Sequence, residues 1–269
     1  MKLIKSKVEL IQENDPYKMI EIAGRTCYKS EENTTEDSAK EFVNRMIKSG
    51  HGAMLEHGTV YLQFSKYKGD PHKYESNKYS VMCITGDKQY YVTTNLRVLV
   101  ENDWLDDLEY QCEPTEHHEK RVTVRFTCDR GVSHEFVRHR VFSFAQESTR
   151  YCNYGKDKFG NELTFIIPSW LDWGEQTIHR GDFEKSGSGS VNSGIFINCL
   201  LDSESSYMHL INVGWRPQQA RQVLPNAIKT ELVMTGFESD WEEFFKLRCS
   251  KAAHPDAKKL ADELQELMK

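Results

Sequence analysis

The stretch Arg121-Val122-Thr123-Val124-Arg125-Phe126-Thr127-Cys128 alternates apolar and polar residues without a break. Successive strand residues point to opposite faces, so Val122, Val124, Phe126 and Cys128 share one face and Arg121, Thr123, Arg125 and Thr127 the other. Past Gly131, the run Ser133 to Val137 starts a short helix, and Arg138-His139-Arg140 lies at or just past its end. A strand leading straight into a helix sets the reading of the rest of the chain.

Working outward, the same two periods recur. Asp37 to Ser49 reads as a helix with Phe42, Val43 and Met46 on one face and Gly50 as its stop. His57 to Phe64 reads as a strand, Val60, Leu62 and Phe64 alternating with Thr59, Tyr61 and Gln63. Lys66 to Ser80 is a surface loop, and Thr93 to Glu109 looks helical. Downstream, Lys185-Ser186-Gly187-Ser188-Gly189-Ser190 is a flexible loop within the domain. Ile195 to Val213 is a long amphipathic helix ending at Gly214, and Pro217 opens another that Pro225 ends. Ser239 with Glu242 forms a capping box for a helix reaching Leu247, and Leu260, Leu264 and Leu267 share a helical stripe in the tail. Intermixed helices and strands predict a mixed α/β (α+β) fold: one domain over 1–269, a central sheet flanked by helices, with surface insertions near 66–80 and 173–193.

Composition narrows the function classes. The chain has 269 residues, enough for a sizeable core, and a net charge of −6, so no global basic field collects nucleic acid. Positive charge for an anionic ligand must therefore be local. The seven cysteines form no C-x-x-C pair, and no apolar run approaches membrane length. These features predict a cytoplasmic protein with reduced thiols, no membrane or nucleic-acid partner and no metal site. His134-Glu135 and His139 imitate a zinc-protease motif, but the second histidine comes one residue late. Five helical residues put the two imidazoles roughly 140° apart, which prevents a shared metal.

The chemistry-bearing stretch runs from Ser133 to Tyr151. Arginine offers a permanently charged fork suited to phosphate and carboxylate. Adjacent Arg138, His139 and Arg140 repel one another unless a polyanion sits there. Phe142, Phe144 and Tyr151 are interleaved with them, and Ser148 and Arg150 add a hydroxyl and another fork. That combination suits a nucleotide. A nucleotide- or RNA-binding module and a different nucleotide-acting flavoenzyme remain alternative readings of these residues alone.

The spacing of Arg138-His139-Arg140, seven residues, then Ser148 is similar to the signature of flavin-dependent thymidylate synthases. Gly50-His51 with Glu56-His57-Gly58-Thr59, Gln219-Ala220-Arg221 with Val223-Leu224-Pro225, and Phe245-Lys246-Leu247-Arg248 resemble further family segments in the right order. The resemblance covers roughly residues 20 to 250. It implies a thymidylate synthase-complementing-type fold and reductive methylation of dUMP to dTMP. Methylenetetrahydrofolate is then the one-carbon donor, and FAD reduced by NADPH carries hydride. It places Thr59, Arg138, His139, Arg140, Gln146, Phe237 and Glu243 at FAD. It places Glu135, Arg138, Gln146, Glu147, Ser148, Thr149, Arg150, Arg221 and Arg248 at dUMP, with Arg248 and His57 as catalytic residues. It also implies a homotetramer with shared active sites, and no cysteine nucleophile although Cys152 and Cys249 lie near arginines. Three positions depart from the family pattern: Gln146 stands where Glu is usual, Phe237 where Asn is frequent, and Glu243 replaces another polar residue.

Overall fold

The computed structural model describes residues 1–65, 68–181 and 190–269; Lys185 to Gly189 of the predicted flexible loop lie outside them. Strand β6 (Arg121–Asp129) lies inside a four-stranded sheet of order β2-β6-β10-β7, with β2 (Lys7–Ile11), β10 (Lys229–Phe237) and β7 (Ser143–Gln146). All its pairings are antiparallel; Val124 sits between Leu10 and Met234, and Phe126 between Val8 and Leu232. The apolar face read from the sequence is the core face. Val124, Phe126, Cys128, Leu232 and Met234 pack against Val132 and Phe136 of α5 (Arg130–Phe136), Trp241 and Phe244 of α8 (Glu238–Arg248), and Leu260 and Leu264 of α9 (Pro255–Leu267). Helix α1 (Pro16–Tyr28) lies on the opposite, polar face, where its Thr26 accepts from Arg125 at 3.3 Å.

The fold class is mixed as the periodicities predict, but the strands divide into three sheets. In the second, β3 (Thr59–Ser65) pairs antiparallel with β5 (Gln89–Asn95), and β5 with β4 (Val81–Ile84). Helices α2 (Ser38–Lys48), α3 (Gly52–Leu55) and α4 (Leu96–Glu101) share its core. The third sheet has order β8-β1-β9: β1 (Lys2–Ile4), β8 (Thr164–Ile166) and β9 (Gln176–Thr177). Leu3 and Phe165 of that sheet pack with Ile197, Leu201 and Tyr207 of the long helix α6 (Val191–Asn212). Gly214, at φ +95°, ends α6 as expected, since this backbone region is open to glycine without steric cost.

Three local expectations change. Thr93 to Asn95 belong to β5, because the aromatic and β-branched run from Tyr90 to Thr94 pairs along β3; Asn95 then caps α4 by accepting from the Val98 N–H at 3.2 Å. Helix α8 starts at Glu238: the Asp240 carboxylate accepts from the Phe237 N–H at 3.1 Å, while Ser239 bonds Glu119 rather than forming a box with Glu242. Leu267 keeps the stripe of the buried Leu260 and Leu264 but is half exposed as the last residue of α9. The short helix α7 (Pro217–Ala220) tightens into a 3-10 turn over Arg221–Val223.

Candidate active site

Asp129 caps α5 through its carboxylate, which accepts from the Val132 N–H at 2.9 Å, and Phe136 anchors the helix end in the core. The turn after it exposes Arg138 and Arg140, whose side chains take no hydrogen bond or ion pair among the described residues. His139 folds back instead, its ring 4.9 Å from that of Phe244. There its Nε2 accepts from Arg248 Nε at 2.9 Å, which places the proton of the neutral ring on Nδ1. Burial, then the charge of Arg248, lowers the His139 pKa to about 4. Repulsion within the Arg-His-Arg run is thus relieved by keeping its middle member neutral. Arg248 closes α8 and is held again by Glu135, whose Oε2 accepts from Nη1 at 2.5 Å and whose carbonyl accepts from Nη2 at 2.6 Å. Three guanidinium N–H groups are committed and two are left, in a fork fixed from α5 and α8 together.

A second group follows β7. Gln146 Nε2 donates to Ser133 Oγ at 2.8 Å and to Thr230 Oγ1 at 3.3 Å. The side chain of Glu147 is buried, pairing with Lys229 at 2.7 Å and accepting from the Tyr154 hydroxyl at 2.9 Å, so it anchors the segment. Lys229 and Lys29 also pair with Glu231, at 2.9 and 2.7 Å. Burial opposes ionisation of Glu231, but the two lysines outweigh it and draw its pKa down to about 2. On this base, Ser148 Oγ accepts from the Arg150 N–H at 3.3 Å, and Thr149 Oγ1 accepts from Arg221 Nη1 at 3.4 Å. The Arg150 guanidinium is exposed over the Tyr151 ring, 5.3 Å from its centroid. Arg221, 72 positions away in sequence, therefore meets the Ser148–Thr149–Arg150 turn.

The third group lines a cleft of about 790 Å³ and includes His57, Thr59, Tyr61, Arg121 and Thr123. His57 is fully buried; its Nδ1 bonds Thr235 Oγ1 at 2.8 Å, and Thr235 bonds Thr123 at 2.9 Å. Among the described residues, Nε2 has no partner of good hydrogen-bond geometry. Burial, then Arg121, lowers its pKa to about 3, with the Phe144 backbone offsetting only part. Arg121 donates to the Glu56 carbonyl at 2.9 Å, Thr59 Oγ1 at 3.2 Å and Ser143 Oγ at 3.2 Å, and lies 5.6 Å from the centroid of the Phe237 ring. Glu243 belongs to none of these groups: it is exposed on α8 and paired with Lys246 at 2.6 Å. The sequence reading missed Arg121 and Lys229. Alternation marks Arg121 only as facing away from the core, and nothing local to it signals the neighbours it meets.

Strand β7 joins two of these groups: its Ser143 end meets the cleft and its Gln146 end leads into the Arg150 and Arg221 group, a span of roughly 10–13 Å. The family model described as "Thymidylate synthase complementing protein" matches residues 9–67 and 109–269, and the chain belongs to that family. The flavin-dependent thymidylate synthase of Geobacter sulfurreducens is 29% identical over 140 residues, 52% of each chain, and that of Pyrococcus furiosus 29% over 141. These alignments span about half the length of both relatives. The Mycobacterium avium enzyme of the same name is 23% identical over 251 residues, 91% of this chain and 72% of that protein. Among solved structures, a UMP/dUMP methylase from Streptomyces cacaoi aligns with a TM-score of 0.47 and 16% identity, covering 100% of this chain and 91% of that one.

Proposed function

We propose that the protein is a flavin-dependent thymidylate synthase. It methylates dUMP to dTMP, with methylenetetrahydrofolate as one-carbon donor and FAD, reduced by NADPH, as hydride carrier. The observation that carries the proposal is the Arg248 fork, fixed by Glu135 and His139 beside two uncommitted arginines, Arg138 and Arg140. Exposed guanidiniums without partners suit the phosphates of a dinucleotide, so the residues present are compatible with FAD. Thr59, Arg138, His139, Arg140, Gln146 and Phe237 are its proposed contacts, and the flavin when bound supplies the hydride chemistry.

The chain's own residues bind, orient and polarise. Glu135, Arg138, Gln146, Glu147, Ser148, Thr149, Arg150, Arg221 and Arg248 form the proposed dUMP site. Arg150 and Arg221 hold the phosphate, and Glu147 shapes the backbone around it. Arg248 directs its two free N–H groups at the uracil N3–carbonyl edge and stabilises negative charge there as C5 becomes nucleophilic. His57, at a pKa of about 3, stays neutral and acts through its orientation rather than as a proton carrier. No thiol is needed as a nucleophile: burial, then Glu147, pushes Cys152 up to about 12, and burial, then a hydrogen bond to Asp262, pushes Cys249 up to about 11. Assembly as a homotetramer with shared sites is part of the proposal. The separation of the three groups within one chain and the exposed Val191, Ile195, Val213 and Trp215 on and just beyond α6 support it. The seven free cysteines are in keeping with the cytoplasm, and among the described residues no helix is long and apolar enough to cross a membrane.

Purified protein is expected to be yellow, to release FAD on acid precipitation, and to form dTMP from dUMP, methylenetetrahydrofolate and NADPH. A colourless protein that takes up no added FAD overturns the proposal.

A further inference from the structure

The family match stops at residue 67 and resumes at 109. The unmatched segment contains β4, β5 and α4, so it has its own secondary structure. Its core is shared with the host: Val92, Leu96 and Leu99 pack on Leu55, Val60 and Leu62. It also clasps the turn that leads into the cleft. Strand β5 pairs with β3 from Thr59 to Ser65, and the Leu96 N–H donates to the Gly58 carbonyl at 2.9 Å.

Arg97, on the first turn of α4, reaches across α3. Its Nη1 takes the Glu56 carboxylate at 2.5 Å and its Nε takes Glu101 at 2.7 Å. The other end of Glu56 is held by a different arginine, since its carbonyl accepts from Arg121. Arg121 has only neutral acceptors: a carbonyl and the hydroxyls of Thr59 and Ser143. Among the described residues no carboxylate forms an ion pair with it, although Glu56 is its immediate neighbour. A largely buried guanidinium without a directly paired carboxylate is costly, and Glu56, whose field reaches Arg121 as that of Asp240 does and whose own carbonyl it already holds, is placed to relieve it. Arg97 prevents that by engaging the Glu56 carboxylate first.

The geometry points to Arg97 as a positioning residue that holds the Glu56 carboxylate away from Arg121, so that Arg121 keeps its charge free for an anionic ligand in the cleft. The inference rests on the functional reading above, in which Thr59 and its surroundings take the flavin cofactor, and it assigns the segment between the two matched stretches a part in that binding. Without Arg97, the Glu56 carboxylate swings to Arg121 and neutralises the site.

The test compares wild type, Arg97→Met, Glu56→Gln and the double variant by fluorescence titration of the flavin-free protein with FAD. Arg97→Met is expected to weaken FAD binding about tenfold. Adding Glu56→Gln is expected to restore it to within about threefold of wild type, because the competing carboxylate is gone; rescue of this kind marks interacting neighbours. The unfolding midpoint of Arg97→Met should drop by no more than about 4 °C, as for loss of a partly exposed ion pair in a chain of this length. Unchanged FAD affinity in Arg97→Met, or a double variant as weak as the single one, overturns the inference. A wild type that takes up no FAD fails the functional reading instead. The switch is then decided by the crystal structure of Arg97→Met: a Glu56 carboxylate in ion-pair contact with Arg121 supports it, and one turned away overturns it.

Discussion

Two regions of this molecule pair an arginine with a neutral histidine, and they differ in how the positive charge is balanced. At the α5–α8 junction, Arg248 has a carboxylate partner, Glu135, and a histidine acceptor, His139, with Arg138 and Arg140 exposed beside them. At the mouth of β3 and β6, Arg121 has no ion-paired carboxylate among the described residues, and its histidine, His57, is sealed from solvent. In the first region Arg248 itself is balanced before any ligand arrives, so its remaining donors are oriented without reorganisation. The second is unbalanced and gains most from an incoming negative charge. A guanidinium alone says little about its role, and its counter-charge says much more.

The largest effect is expected at the balanced site. Arg248→Lys and Arg248→Ala should retain FAD and its reduction by NADPH, yet lose at least about a hundredfold in dTMP formation, or roughly 2.7 kcal/mol of transition-state stabilisation. Lysine supplies charge but cannot satisfy Glu135 and His139 together while keeping a planar fork. Near-normal turnover in the lysine variant would break the comparison by making Arg248 a plain helix-end charge, worth about 0.3–1 kcal/mol of stability.

Next in size is the convergent pair at the far end of β7. Arg150→Ala and Arg221→Ala should each raise the dUMP requirement about ten- to hundredfold with flavin content unchanged, as a charge-assisted hydrogen bond is worth about 1.5–3 kcal/mol. Equal affinity of the wild type for deoxyuridine and dUMP in a binding titration would remove the phosphate from this edge.

The pH dependence of stability distinguishes the two histidines. Both have folded pKa values below the ordinary histidine range, about 3 for His57 and about 4 for His139, so the unfolded chain binds their protons more readily. Their contribution is complete above about pH 6.5 and is lost as the pH falls through the folded values. Urea midpoints should therefore decline below about pH 6.5, and His57→Gln should flatten that decline more than His139→Gln. An unchanged slope in His57→Gln would show that burial of this ring costs little. The smallest effect is expected for the thiols: Cys152→Ser and Cys249→Ser should each keep dTMP formation within about tenfold, about 1.4 kcal/mol of barrier. Complete loss in a folded variant would revive a cysteine nucleophile.

Much of this was legible in the residue order. Alternation from Arg121 to Cys128 determined a strand and its core face, the spacing of Phe42, Val43 and Met46 determined α2, and Gly214 marked the end of α6, because each rests on near neighbours in the chain. The run from Arg138 to Arg150 marked the proposed anion site through residue type alone. Tertiary structure decided the rest. It divided the strands among three sheets, ran Gln89–Asn95 along β3 where Thr93 onward had read as helix, and moved the cap of α8 to Asp240. It also decided which charges are free. Glu135 meets Arg248 across 113 positions, Glu56 meets Arg97 across 41, and Glu147 meets Lys229 across 82. The strength of an ion pair depends on separation in space and on burial, and neither is written in local sequence.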